Sequence, residues 1–144
     1  AAMSERNFEP RVIEITECTY RKIMSWVQAL DETTWVCASY EKKIIDAYRL
    51  MNISSAPRNY FNYSKYELSQ IKKKIKTLGL EMACLGHSHP HKNHLRHPSK
   101  SDWENLPKSS IQMIAFSHKN EVGVWKFKKT YNETLRSKLQ VEKS

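Results

Sequence analysis

Glycine, proline and cysteine are all scarce: three, five and three residues among 144. So little glycine and proline excludes a collagen-like or low-complexity chain. The cysteines, Cys18, Cys37 and Cys84, are odd in number, and none forms a C-x-x-C pair. That argues against a disulfide framework and a cysteine zinc knuckle, and it suits a reducing, cytoplasmic setting. The Asn52-Ile53-Ser54 sequon would then carry no sugar and reads as chance. No apolar run approaches the roughly 20 residues that a membrane helix needs. No signal-peptide pattern is visible either, because Arg6, Glu9 and Arg11 interrupt the N-terminal segment. Ala1-Ala2-Met3 reads as an expression remnant, and residues 1–10 are expected to be a leader outside the fold.

What is present is ordinary globular composition, with 40% hydrophobic and 27% charged residues. At roughly 100–200 residues per domain the length suits one domain, large enough to bury a core without staples. The formal charge is +9, which favours an acidic partner without naming one. Lys72, Lys73, Lys74 and Lys76 share one predicted helix and read as a solvated face.

Residues 11–15 alternate as a short strand, and Thr16 caps a helix expected over about 17–30, with Tyr20, Ile23, Val27 and Leu30 at helical spacing. Residues 33–40 and 44–50 suit the two strands of a hairpin around Glu41-Lys42-Lys43. A loop from 52 to 59 leads to one more short strand at 60–63. Ser64 and Glu67 form a capping box, Tyr63 and Leu68 a hydrophobic staple, and Gly79 closes the helix that follows. Residues 81–87 read as a buried strand. Ser99 and Asp102 repeat the capping pattern for a short helix to Leu106. Two strands at 111–117 and 121–127 flank a turn, and Leu135 and Leu139, four apart, suggest a terminal helix. Interleaved helices and strands imply α/β or α+β with one sheet.

Five of the six histidines fall between positions 87 and 97. In an extended chain residues two apart project to the same side, so His87 and His89 can reach one metal ion at about 2.0–2.1 Å. Pro90 then ends strand pairing. Asp102, opening the next helix, is able to return a carboxylate oxygen. Two histidines and one carboxylate leave a fourth position open, as catalytic zinc sites do. His91, His94 and His97 read as a solvated loop near the metal, and His118 as a surface residue.

Gly86-His87-Ser88-His89-Pro90, with Pro98-Ser99-Lys100-Ser101-Asp102, resembles the signature of the JAMM (MPN+, or JAB) metallopeptidases. The element order over residues 11–130 is similar to that family's domain, leaving 131–144 as a tail or short helix. The resemblance implies a single mixed β-sheet flanked by helices, with a cytidine-deaminase-like core. It implies zinc held by His87, His89 and Asp102, and Ser99 steadying an oxyanion. It also implies a catalytic glutamate just after the first helix, a place that Glu32 fills; Glu14, Glu17 and Glu41 stand at the wrong point in the element order. The chain departs from the pattern twice. Eight residues lie between Pro90 and Ser99, longer than usual, and Trp35 stands where the family often has glycine. The expected activity is hydrolysis of peptide or isopeptide bonds. The expected partner is a ubiquitin-like or sulfur-carrier-like protein or its conjugates, as in bacterial antiphage conjugation systems. The competing reading is a basic nucleic-acid-binding domain or metal-dependent nuclease. No binding motif or stacking aromatics support it, so neither nucleic acid nor membrane is expected as a partner.

Overall fold

The computed structural model describes residues 12–91, 97–105 and 111–143. The expected leader, His94 and Leu106 lie outside them. In chain order the elements are β1 (Val12–Thr16), α1 (Glu17–Trp26), β2 (Thr34–Tyr40), β3 (Lys43–Leu50), α2 (Lys65–Thr77), β4 (Glu81–His89), α3 (Lys100–Asn105), β5 (Ile111–Phe116), β6 (Glu121–Lys126) and β7 (Leu135–Glu142). Single 3-10 turns at Ser117–Lys119 and Tyr131–Glu133 complete the described residues.

The strands lie side by side as β1-β3-β2-β4-β5-β6-β7, and β7 returns to pair with β1 in parallel. The sheet is therefore a closed barrel of mixed pairing, not the open flanked sheet that the family resemblance implied. Closure comes from the C-terminal segment, where the expected tail or helix is a strand. Leu135 and Leu139 are four apart, and four is compatible with both the helical period and the strand period of two. Ser137, Leu139 and Val141 are the less exposed positions of β7, and Leu139 pairs with Ile13.

Two apolar clusters explain why β2, β4 and β5 are buried along most of their length. Trp35, Cys37, Met113 and Ala115 join Ile23 of α1 and Val27, its C-cap, in one cluster. Their neighbours Val36, Ala38, Ile114 and Phe116 join Leu68 and Ile75 of α2 in the other. Strands covered on both faces lose the polar alternation of half-exposed ones.

The local signals hold with instructive exceptions. Thr16 caps α1, its hydroxyl accepting from the Thr19 amide at 3.3 Å. The helix stops at Trp26 instead of running to residue 30, and Leu30 is 63% exposed. The Ser117 hydroxyl donates to the Val27 carbonyl at 2.6 Å, satisfying a helix-end acceptor from the distant turn after β5. In α2 the Ser64 hydroxyl accepts from the Glu67 amide at 3.2 Å. The Glu67 carboxylate does not close the box; it takes the Met51 amide at 2.9 Å, pinning the end of β3. Gly79 has φ +76, which only glycine adopts without cost. Lys72, Lys73, Lys74 and Lys76 are exposed, as a solvated face should be. The expected strand at 60–63 is irregular backbone.

Trp35 lies opposite Gly86 across the β2–β4 ladder and is fully buried. A Cβ on Gly86 would stand 2.2 Å from its indole ring. The absent side chain at 86 thus makes room for the tryptophan at 35. Gly86→Ala is expected to cost about 1–3 kcal/mol by overpacking. Trp35→Ala should recover part of that loss in the double variant. Urea denaturation of the two single variants and the double checks both, and additive losses would refute the contact.

Candidate metal centre

The site is built at the C-terminal end of β4. Strand geometry aims His87 and His89 to one side, and their flanking partners are Thr34 and Ile114 for His87 and Phe116 for His89. The two Nε2 atoms are 3.2 Å apart. Asp102 Oδ2 approaches them at 3.2 and 3.5 Å. His87 is wholly buried, and His89, Glu32 and Asp102 are all under a tenth exposed.

Asp102 is held in place by its own helix start. Its amide donates to Ser99 Oγ at 2.9 Å, and its Oδ2 accepts the Ser99 amide at 2.9 Å. This reciprocal box is the one that the Ser99/Asp102 spacing predicts, and it turns the carboxylate back toward β4. The Ser99 hydroxyl spends a lone pair on the cap and keeps its hydrogen as a donor.

Glu32 arrives by strand register. Thr34 pairs with His87, and the antiparallel register runs on past the ladder. The Ser88 amide donates to the Thr33 carbonyl at 2.9 Å, and the Thr33 amide donates to Ser88 Oγ at 2.8 Å. One step further along, Glu32 stands opposite His89. Ligand atoms of Glu32, His87 and His89 all lie within 4.8 Å of one another. The rival acids stand elsewhere: Glu14 is exposed on β1, Glu17 pairs with Arg21, and Glu41 occupies the β2–β3 turn at φ 49.

The donor set fits a metal ion. In a tetrahedral site with bonds of 2.0–2.1 Å, ligand atoms stand about 3.3 Å from each other. The distances of 3.2, 3.2 and 3.5 Å among His87, His89 and Asp102 describe one face of such a tetrahedron. His87 turns its Nε2 to this face, while its buried Nδ1 has no hydrogen-bond partner among the described residues.

The two carboxyls are driven apart. Burial pushes Glu32 up to about 8, opposed by the nearby His89 and reinforced by the charge of Asp102. Burial would also raise Asp102, but the His87 charge, hydrogen bonds from both histidines and the Ser99 amide outweigh it and hold it below the usual carboxylate range. One carboxylate thus stays anionic beside the imidazoles, and the other is able to carry a proton.

Several groups around the site were not singled out by the sequence. Phe61 stacks on His87 with ring centroids 4.2 Å apart and planes at 18°. Phe116 meets His89 edge-on at 5.5 Å. Ser88, inside the quoted motif, joins β4 to the segment carrying Glu32. Tyr131 and Trp103 fasten α3: the Tyr131 hydroxyl donates to the Pro98 carbonyl at 2.7 Å, and Trp103 Nε1 donates to the Lys128 carbonyl at 2.8 Å. Among the extra histidines, His97 is exposed and its Nδ1 lies 3.3 Å from the Tyr131 hydroxyl. His118 is exposed, as expected.

The mixed α/β barrel is an MPN-like fold, shared with solved structures. AF2198 of Archaeoglobus fulgidus, a JAB1/MPN domain protein, is similar with a TM-score of 0.57 and 14% identity, over 91% of this chain and 98% of that one. Protein DSY2949 of Desulfitobacterium hafniense is similar with a TM-score of 0.77 and 16% identity, over 92% of this chain and 94% of that one. At these identities the likeness establishes the fold. No protein-family model and no curated protein sequence matches the chain. No helix among the described residues is long and apolar enough to cross a membrane.

Proposed function

We propose that this protein is a zinc-dependent metallopeptidase that hydrolyses peptide or isopeptide bonds. The observation that carries the reading is the convergence of His87 Nε2, His89 Nε2 and Asp102 Oδ2 at tetrahedral spacing, with Glu32 beside them. A zinc ion in that position supplies Lewis acidity, making water a nucleophile near neutral pH and polarising a carbonyl. Two imidazoles and one carboxylate suit zinc and leave a place for substrate.

The chain's own residues then divide the work. His87, His89 and Asp102 hold the ion. Glu32 takes the proton of the attacking water and returns it to the departing amine nitrogen. The Ser99 hydroxyl donates to the oxyanion as it forms. Phe61 and Phe116 keep the imidazole faces dry, which strengthens each of these interactions.

For the substrate we favour the tail of a ubiquitin-like or sulfur-carrier-like protein, or a conjugate of one, in a cytoplasmic setting. This rests on the resemblance of the H-S-H-P and P-S-x-x-D segments to the JAMM signature. The test is direct. Zinc-loaded protein is incubated with ubiquitin-like proteins carrying a C-terminal extension or an isopeptide-linked lysine, and cleavage is followed by mass spectrometry. Cleavage that stops on adding a chelator and returns with zinc is the expected result. Chelator-sensitive cleavage of nucleic acid, with every amide substrate intact, would transfer the site to a nuclease.

A further inference from the structure

The stretch between β3 and α2 contains no helix or strand, yet it touches the metal centre twice. The Pro57 carbonyl accepts the Glu32 amide at 2.7 Å, and Phe61 lies on the His87 ring. Backbone groups in such a segment need partners from elsewhere. One side chain supplies several of them. Asn52 Nδ2 donates to the Glu32 carbonyl at 2.8 Å and to the Tyr60 carbonyl at 3.1 Å, with the Pro57 carbonyl further off at 3.4 Å. Its Oδ1 accepts the amides of Ser54 at 3.0 Å and Asn62 at 3.1 Å. A backbone bond from the Ile53 amide to the Asn62 carbonyl, at 2.9 Å, closes the loop beside it.

We propose that Asn52 is a positioning residue whose side-chain amide fixes both Glu32 and Phe61 against the His87/His89 pair. The amide is suited to this because it has two donors and an acceptor oxygen with two lone pairs on one short stem. Aspartate has the same shape and keeps the acceptor bonds to Ser54 and Asn62, but it cannot donate to Glu32 or Tyr60. The link to Glu32 is made through the backbone, so Asn52 acts on the site without touching substrate.

The catalytic consequence rests on the metallopeptidase reading; the placement does not, and the test separates them. In the metal-free protein, the Phe61 ring current shifts the imidazole protons of His87 upfield in the proton NMR spectrum. Asn52→Asp and Asn52→Ala are expected to move those signals toward the values of an unstacked histidine and to speed hydrogen exchange at the Glu32 amide. Unchanged signals in Asn52→Asp, the variant that retains the loop-closing bonds, would overturn the proposal. With a cleavable amide substrate, Asn52→Asp should keep its zinc and its KM while kcat falls about 10²-fold, the usual penalty for a misplaced catalytic group. In a Glu32→Gln background the same change should cost much less in kcat, the remainder being the part that acts through Phe61. An equal loss in both backgrounds would mean general destabilisation and would also overturn it. If the wild-type protein cleaves no amide at all, the peptidase reading fails, and the His87 signals still decide whether Asn52 holds the loop.

Discussion

His89→Ala is expected to abolish tight zinc binding and, with it, all metal-dependent hydrolysis. His87 Nε2, His89 Nε2 and Asp102 Oδ2 form one face of a tetrahedron, so removing the His89 imidazole leaves one nitrogen and one carboxylate oxygen. Loss of a group that merely orients a ligand already lowers affinity by about 10–100-fold, and loss of a ligand itself costs more. The measurement is metal content after dialysis, together with thermal unfolding. Zinc at a thousandfold excess over its dissociation constant adds about 4 kcal/mol to the native state. For a domain of this size that is an upward shift in Tm on the order of 10 °C. Wild-type protein should show the shift and His89→Ala should not. Full zinc occupancy in the variant would remove His89 from the ligand set. Asp102→Asn should fall between the two, because it can keep an oxygen in the place of Oδ2 but loses the charge.

Glu32→Gln should separate the acid–base group from the ligands. A carboxyl oxygen of Glu32 lies within 4.8 Å of both histidine nitrogens, and Asp102 Oδ2 faces the same pair at 3.2 and 3.5 Å. Glutamine is nearly the same size, and the backbone bonds at position 32, to the Pro57 carbonyl and from Asn52, do not involve the altered group. Fold and zinc content should therefore be unchanged. Turnover should fall by about 10²–10⁴, the usual worth of general acid–base catalysis. Gln variants at Glu14, Glu17 and Glu41, all distant from the cluster, should retain wild-type turnover. Near wild-type activity in Glu32→Gln would sink the assignment, and a collapse in one of the other three would name the residue to replace it. Removing the carboxyl also removes a buried group whose proton uptake depends on pH, so the metal-free variant should be slightly more stable than wild type. The sign follows from burial, which raises the native carboxyl from 4.5 to about 8: the unfolded group ionises freely above about 4.5 and the native one does not, so the gain is present above that pH and absent below it.

What the amino-acid order settled by itself is the part governed by near neighbours along the chain. The caps at Thr16 and Ser64, the glycine ending α2, and the reciprocal Ser99/Asp102 box each involve residues three or four apart or a single backbone angle. The shared direction of His87 and His89 is likewise a property of any extended chain, so half of the candidate site was legible before any fold was known. Glu32 was not legible in the same sense. Its place after the first helix suggested it only through the family resemblance, and it reaches His89 because Thr34 pairs with His87 and Ser88 ties down Thr33. That register is set by residues some 52–55 positions apart, which no local pattern encodes. The same limit explains β7. Leucines four apart satisfy both periods, and only the pairing of Leu139 with Ile13 makes the segment a strand and closes the barrel. It explains Glu67, which left its own cap for the Met51 amide, and Asn52, whose partners are Glu32 and the carbonyls and amides of a loop with no regular pattern. Side-chain periodicity and capping act within about one turn of chain. Register, closure and the matching of buried polar groups depend on which distant segments meet, and those are decided when the two clusters pack.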